Sequence, residues 1–143
     1  MIILPDVNVL VYAYNQDARH HNILLEWWQA TLTGRRPVGL AWSAMLGLLR
    51  VSTNPRAHAK PMRPETAVGH MRSWLAAPTT QIIMPGNGHA ETLFGLIEKV
   101  GTAGNLTSDA HLAALAIEYD AEIATTDTDF TRFAGVRWFN PAQ

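Results

Sequence analysis

Short apolar runs alternating with helical stretches constrain this chain more than any other feature. Ile2-Ile3-Leu4 reads as a buried strand, and Val38 to Ala41, Gln81 to Met84 and Ile123 to Thr126 read as further short strands. Val136 to Phe139 reads as a small last strand. Helices are expected over Val7–Tyr14, Ala18–Leu32, Ser43–Ser52, Glu65–Ala76 and His89–Val100, and from Thr107-Ser108-Asp109 to about Tyr119. The second of these carries Ile23, Leu24, Trp27 and Trp28 at helical spacing. Ser43 is a plausible N-cap for the third, and Pro64 suits the first turn of the fourth. Strands alternating with helices need a parallel sheet covered on both faces, an α/β fold. At 143 residues the chain has room for one such core, so residues 1–143 are expected to form a single domain.

Composition removes several functional classes. The chain has no cysteine, which rules out disulfides and thiolate metal sites. Its start, MIILPD, lacks the basic and long apolar regions of a signal peptide, and no run approaches the ~18 apolar residues of a membrane span. Secretion and membrane anchoring are therefore not expected, and a cytoplasmic location fits. The net charge is −1 but unevenly spread. Arg35, Arg36, Arg50, Arg56, Lys60, Arg63 and Arg72 share the middle of the chain with one acid, Glu65, whereas the C-terminal part is acidic. Such a pattern suits a phosphate-binding rim beside a carboxylate cluster, and equally two differently charged solvated faces.

In open α/β sheets, ligands bind beyond the carboxyl ends of the strands. Asp6 follows the first apolar run, Asp127 follows the fourth, and Asp109 lies in the first turn of a helix. Each acid has a structural alternative. Asp109 could serve its helix N-terminus with Ser108 as the cap, and Asp127 could form a turn. Asp6 is harder to explain structurally, because Ile-Ile-Leu precedes it and Val-Asn-Val-Leu-Val follows. Carboxylates gathered in one pocket repel one another unless a divalent cation neutralises them, and oxygen-only ligands suit Mg²⁺ or Mn²⁺.

Three segments, in this order, resemble the motifs of the PIN-domain family: Asp6-Val7-Asn8-Val9-Leu10, then Ser108-Asp109-Ala110-His111-Leu112-Ala113-Ala114-Leu115-Ala116, then Thr125-Thr126-Asp127-Thr128-Asp129-Phe130. Leu48-Leu49-Arg50-Val51-Ser52-Thr53-Asn54-Pro55-Arg56 resembles the second helix of VapC-type toxins, so the likeness runs over essentially the whole chain. The resemblance implies a three-layer α/β/α fold with a mainly parallel sheet. It implies an endoribonuclease dependent on Mg²⁺ or Mn²⁺, the toxin of a toxin–antitoxin module, inhibited by a VapB-like antitoxin and forming a homodimer. By carry-over, Asp6, Asp109 and Asp127 are the catalytic metal ligands and Asp129 a secondary one, with Asn8, Ser108 and Thr126 in support. Arg50, Arg56 and Lys60 are the candidates for the RNA backbone.

One departure stands out. The family usually has a fourth acid, often Glu, three residues before the helical Arg; if that Arg is Arg50, the position is Gly47. Asp17 is one candidate replacement. Glu118 is nine residues beyond Asp109 on the same helix and points to its far side. His111, ~200° from Asp109 around that helix, is expected to be structural or superficial. The adjacent His20-His21 pair lacks the spacing of a zinc site. Trp27, Trp28, Trp42 and Trp74 can stack on bases, but on apolar faces they fit the core or a dimer contact. The missing acid raises a second reading, a PIN domain that binds RNA or a protein without cutting. A third, an aspartyl-phosphate enzyme, would want an acid where Asn8 stands.

Overall fold

The computed structural model describes residues 1–143 as five strands and six helices. In chain order these are β1 (Ile3–Pro5), α1 (Val7–Tyr14), α2 (His21–Leu32), β2 (Val38–Ala41), α3 (Trp42–Ser52), α4 (Pro64–Leu75), β3 (Thr80–Ile83), α5 (His89–Val100), α6 (Thr107–Glu118), β4 (Glu122–Ala124) and β5 (Arg137–Phe139). Short 3-10 turns at Gly104–Leu106 and Thr128–Arg132 flank the last two long elements.

All strands are parallel, in the order β3-β2-β1-β4-β5. Right-handed crossovers from β1 to β2 to β3 put α1–α4 on one face of the sheet. The chain then jumps back past β1, which puts α5 and α6 on the other face. The contacts agree: α1 packs on α2 and α3, α3 on α4, and α5 on α6. Because the direction of winding reverses between β1 and β4, a crevice opens beyond their carboxyl ends.

Leu4, Leu40, Ile83 and Ile123 fill the middle of the sheet, and Trp28, Trp74 and Phe130 are fully buried against it. The Trp28 and Trp74 rings meet edge to face at 5.3 Å, and Trp74 Nε1 donates to Tyr14 Oη at 3.0 Å. These two tryptophans belong to the core, whereas Trp42 is exposed.

Several boundaries differ from expectation, each for a local reason. Helix α2 begins at His21 rather than Ala18, because the Asn15 side chain accepts from Asp17 N and its carbonyl accepts from Ala18 N, forming a turn. Ser43 is not a cap: Ala41 holds that position, and no side chain caps α3. Likewise Ser108 lies inside α6, which follows directly from the 3-10 turn ending at Leu106. Helix α5 stops at Gly101, whose φ of 83° is open to glycine at little cost.

Candidate active site

The crevice at the winding reversal is a cleft of about 500 Å³ lined by Asp6, Asn8, Ser43, Arg50, Asp109 and Asp127, among others. Three separate elements deliver its acids. Pro5 pairs with Ala124 across the sheet, so the residues that leave β1 and β4 emerge side by side. Asp6 caps α1 through Oδ1, which accepts from Val7 N at 2.8 Å. Asp127 caps the following 3-10 turn by accepting from Asp129 N at 2.8 Å. Asp109 arrives on the first turn of α6. Capping and membership of the cleft are thus compatible roles for Asp6 and Asp127.

A hydrogen-bond web fixes Asp6. Its Oδ2 accepts from Thr125 Oγ1 at 2.8 Å and from Asn8 Nδ2 at 3.1 Å. Thr125 Oγ1 also accepts from Asp127 N at 3.0 Å, and Asn8 Oδ1 accepts from Thr126 N at 3.2 Å. The loop after β4 is therefore stitched to the loop after β1. Thr126 takes part only through its backbone, and the hydroxyl that supports Asp6 belongs to Thr125, which the sequence reading passed over. Thr125 is fully buried, and it reaches Asp6 because β4 lies in register beside β1.

The acids crowd one another. Carboxylate oxygens of Asp109, Asp127 and Asp129 all lie within 4.8 Å of each other, a group fit to hold a metal ion. Asp6 lines the same cleft but lies outside that tightest group. Burial pushes the Asp109 carboxyl up to about 7, helped by the charges of Asp6 and Asp127, a hydrogen bond with Asp127 and the charge of Asp129. Asp6 is also raised, by burial first and by the Asp127 charge, against the pull of Thr125, Val7 N–H and Asn8. An all-oxygen donor set with a surplus of negative charge fits a hard divalent cation.

The position of the expected fourth acid is closed. A Cβ built on Gly47 would come within 2.6 Å of Val7 Cγ2, so the Val7 isopropyl group fills that space. Asp17 does not substitute, because it lines a neighbouring cavity. Glu118 is engaged elsewhere, with His89. Among the basic candidates, Arg50 lines the cleft, Lys60 lines the neighbouring cavity, and Arg56 is exposed and lines neither. His111 turns away from the cleft, and its Nδ1 lies 3.0 Å from His89 Nε2.

Residues 3–136 match the PIN-domain family. The chain is 41% identical to Ribonuclease VapC33 of Mycobacterium tuberculosis over 98% of each chain, and 43% identical to Ribonuclease VapC37 of the same organism over 96% of each. Among solved structures it superposes on VapBC2 of Rickettsia felis bound to a promoter DNA fragment, with a TM-score of 0.67, 20% identity and 98% of each chain covered. The chain belongs to the PIN-domain family and, within it, to the VapC group. No helix is long and apolar enough to cross a membrane.

Proposed function

We propose that this protein is a divalent-metal-dependent endoribonuclease, the toxin of a VapBC-type module, acting as a single domain over residues 1–143. The carrying observation is the carboxylate cluster at the winding reversal, with Asp109 pushed up to about 7 by burial first and by the charges of its acidic neighbours. Such a site is short of positive charge, and Mg²⁺ or Mn²⁺ would supply it. Relatives at 41–43% identity are named ribonucleases, which supports RNA as the substrate. A structural neighbour solved as a VapBC complex supports a VapB-like antitoxin as the partner. Homodimer formation and a cytoplasmic location complete the reading.

Asp109, Asp127 and Asp129 would hold the cation, with Asp6 completing the set from the opposite loop. A divalent ion held there would supply activation of water and charge stabilisation on a phosphoryl oxygen. Thr125 and Asn8 orient the Asp6 carboxylate, which would fix its direction toward a bound cation. Arg50, at the rim of the cleft, holds an RNA phosphate against the acids. The net reaction is hydrolysis of a phosphodiester, in which water adds to phosphorus and a ribose oxygen leaves.

The test is a cleavage assay on total RNA with antitoxin-free protein, comparing wild type with Asp6→Asn in Mg²⁺, in Mn²⁺ and in EDTA. Discrete fragments that need metal and disappear in the variant are expected. The closed space at Gly47 favours a second reading, a PIN domain that binds without cutting. Wild type that retains RNA but leaves it whole at every metal concentration would establish that reading instead.

A further inference from the structure

A second cavity, of about 350 Å³, adjoins the acidic cleft. Val11 on α1 lines both, and the neighbouring α3 residues Val51 and Ser52 line one each. Its other walls come from Asn15, Gln16 and Asp17 after α1 and from His58, Ala59, Lys60 and Met62 in the loop before α4. Met62 N donates to Ser52 O at 2.8 Å, which ties this basic loop to α3.

The lining is rich in uncommitted polar groups. His58 Nε2 is enclosed by protein with no hydrogen-bond partner, so turning the ring toward the cavity would give up no bond at that atom. Its Nδ1 has only a 3.4 Å contact with Asn15 Nδ2. The Gln16 amide and the Lys60 ammonium are exposed. The lining combines the aliphatic side chains of Val11 and Met62 with amide, imidazole and carboxylate groups, a set with the chemistry to meet both the faces and the edges of a heterocycle. RNA is read in sequence mainly through unstacked bases held in such pockets by their edges.

We infer that this cavity is a base-reading subsite: it takes one unstacked nucleobase of single-stranded RNA, flanking the phosphate held at the carboxylates, with His58 and Gln16 selecting the base and Lys60 on the adjoining phosphate. The inference rests on the endoribonuclease reading for what it flanks, but its recognition chemistry stands apart from the cutting step. Arg50 in the cleft and Lys60 in the cavity place one cation beside each of two neighbouring sites, as a backbone running from one to the other requires.

The experiment uses a pool of short single-stranded RNAs randomised in sequence. One arm contains Mn²⁺ and maps cut sites by sequencing; the other contains EDTA and sequences the RNAs the protein retains. Wild type is compared with His58→Ala and with Gln16→Ala, whose exposed side chain makes it safe for folding, and circular dichroism checks both. We expect wild type to prefer one base at a single position beside the cut, and the variants to flatten that preference by about 10-fold while leaving other positions alone. Preferences unchanged in both variants, or weakened equally at every position, would overturn the subsite. If wild type cuts nothing but the retained pool shows a preference that His58→Ala erases, the nuclease reading falls and the subsite stands. A pool neither cut nor retained would sink both.

Discussion

On one side of α6, Asp109 stands among carboxylates of like charge. On the other, His111 closes a chain with His89 and Glu118. Residues 111 and 118 are seven apart and share a helix face, whereas 109 lies ~200° from 111. The His89 chain satisfies itself: Glu118 Oε2 accepts from His89 Nδ1 at 2.6 Å, Glu118 Oε1 accepts from Gly86 N at 3.0 Å, and His111 takes up His89 Nε2. Burial and the nearby His89 hold His111 below its ordinary value, with Glu118 pulling the other way. No outside group is needed there. The aspartate cluster has the opposite character, because the charges of Asp6, Asp127 and Asp129 add to burial in raising the cost of ionising Asp109. One helix thus separates a polar cluster whose donors and acceptors meet one another from a carboxylate cluster that could hold a cation.

Substitutions that remove a charge from each side break the comparison most directly. Asp109→Asn keeps the shape and can still donate to Asp127, as protonated Asp109 does. It should lower RNA cleavage by more than ~100-fold, beyond what losing an outer partner of a metal ligand costs, yet raise the melting temperature of metal-free protein at pH 8. Glu118→Gln should do the reverse, leaving cleavage near wild type while costing about 1.5–3 kcal/mol in chemical denaturation. If both variants moved activity and stability together, the two clusters would not differ in kind.

Thr125→Val sharpens the same contrast from within the acidic side. It removes the hydroxyl that joins Asp6 to Asp127 N, and cleavage should fall by about 10–100-fold with the metal requirement intact. Titrated metal dependence separates this from a folding defect, since the apparent metal affinity should weaken with the rate.

The smallest effect is in pH. Asp109 binds its proton more tightly folded than unfolded, with its pKa raised from 3.8 to about 7. Between those values the folded state holds more protons, so this stabilisation is present at low pH and is lost as pH rises through about 7. Metal-free protein should therefore melt lower at pH 8 than the rest of its charge predicts. Added Mg²⁺ or Mn²⁺ should raise the melting temperature more at pH 8 than at pH 5; equal shifts at both would count against the metal site.

Much of this architecture was legible in the residues. Apolar runs such as Ile2-Ile3-Leu4 and Val38–Ala41 have no alternative to a buried strand, and His89–Val100 is bounded as expected because Gly101 ends it. Asp6, Asp109 and Asp127 were found from their places at element ends, and they meet in one cleft. Thr125 was missed because its role depends on the register of β1 against β4, a three-dimensional fact that no local pattern carries. The start of α2 was misplaced because an Asn15 side chain competes with the helix for backbone N–H groups. The His89–Glu118 pair, 29 residues apart, was invisible for the same reason as Thr125.

The packing of Val7 into the hollow at Gly47 also has a consequence for redesign. A mutation that restored Glu at position 47 would meet the branched, rotationally stiff Val7 side chain at once, and overpacking of this kind costs about 1–3 kcal/mol. Trimming Val7 first would instead leave a hole beside Asp6. Each single step carries a cost that the paired change avoids. A four-acid version of this site is best engineered as a double variant that shortens residue 7 as it lengthens residue 47.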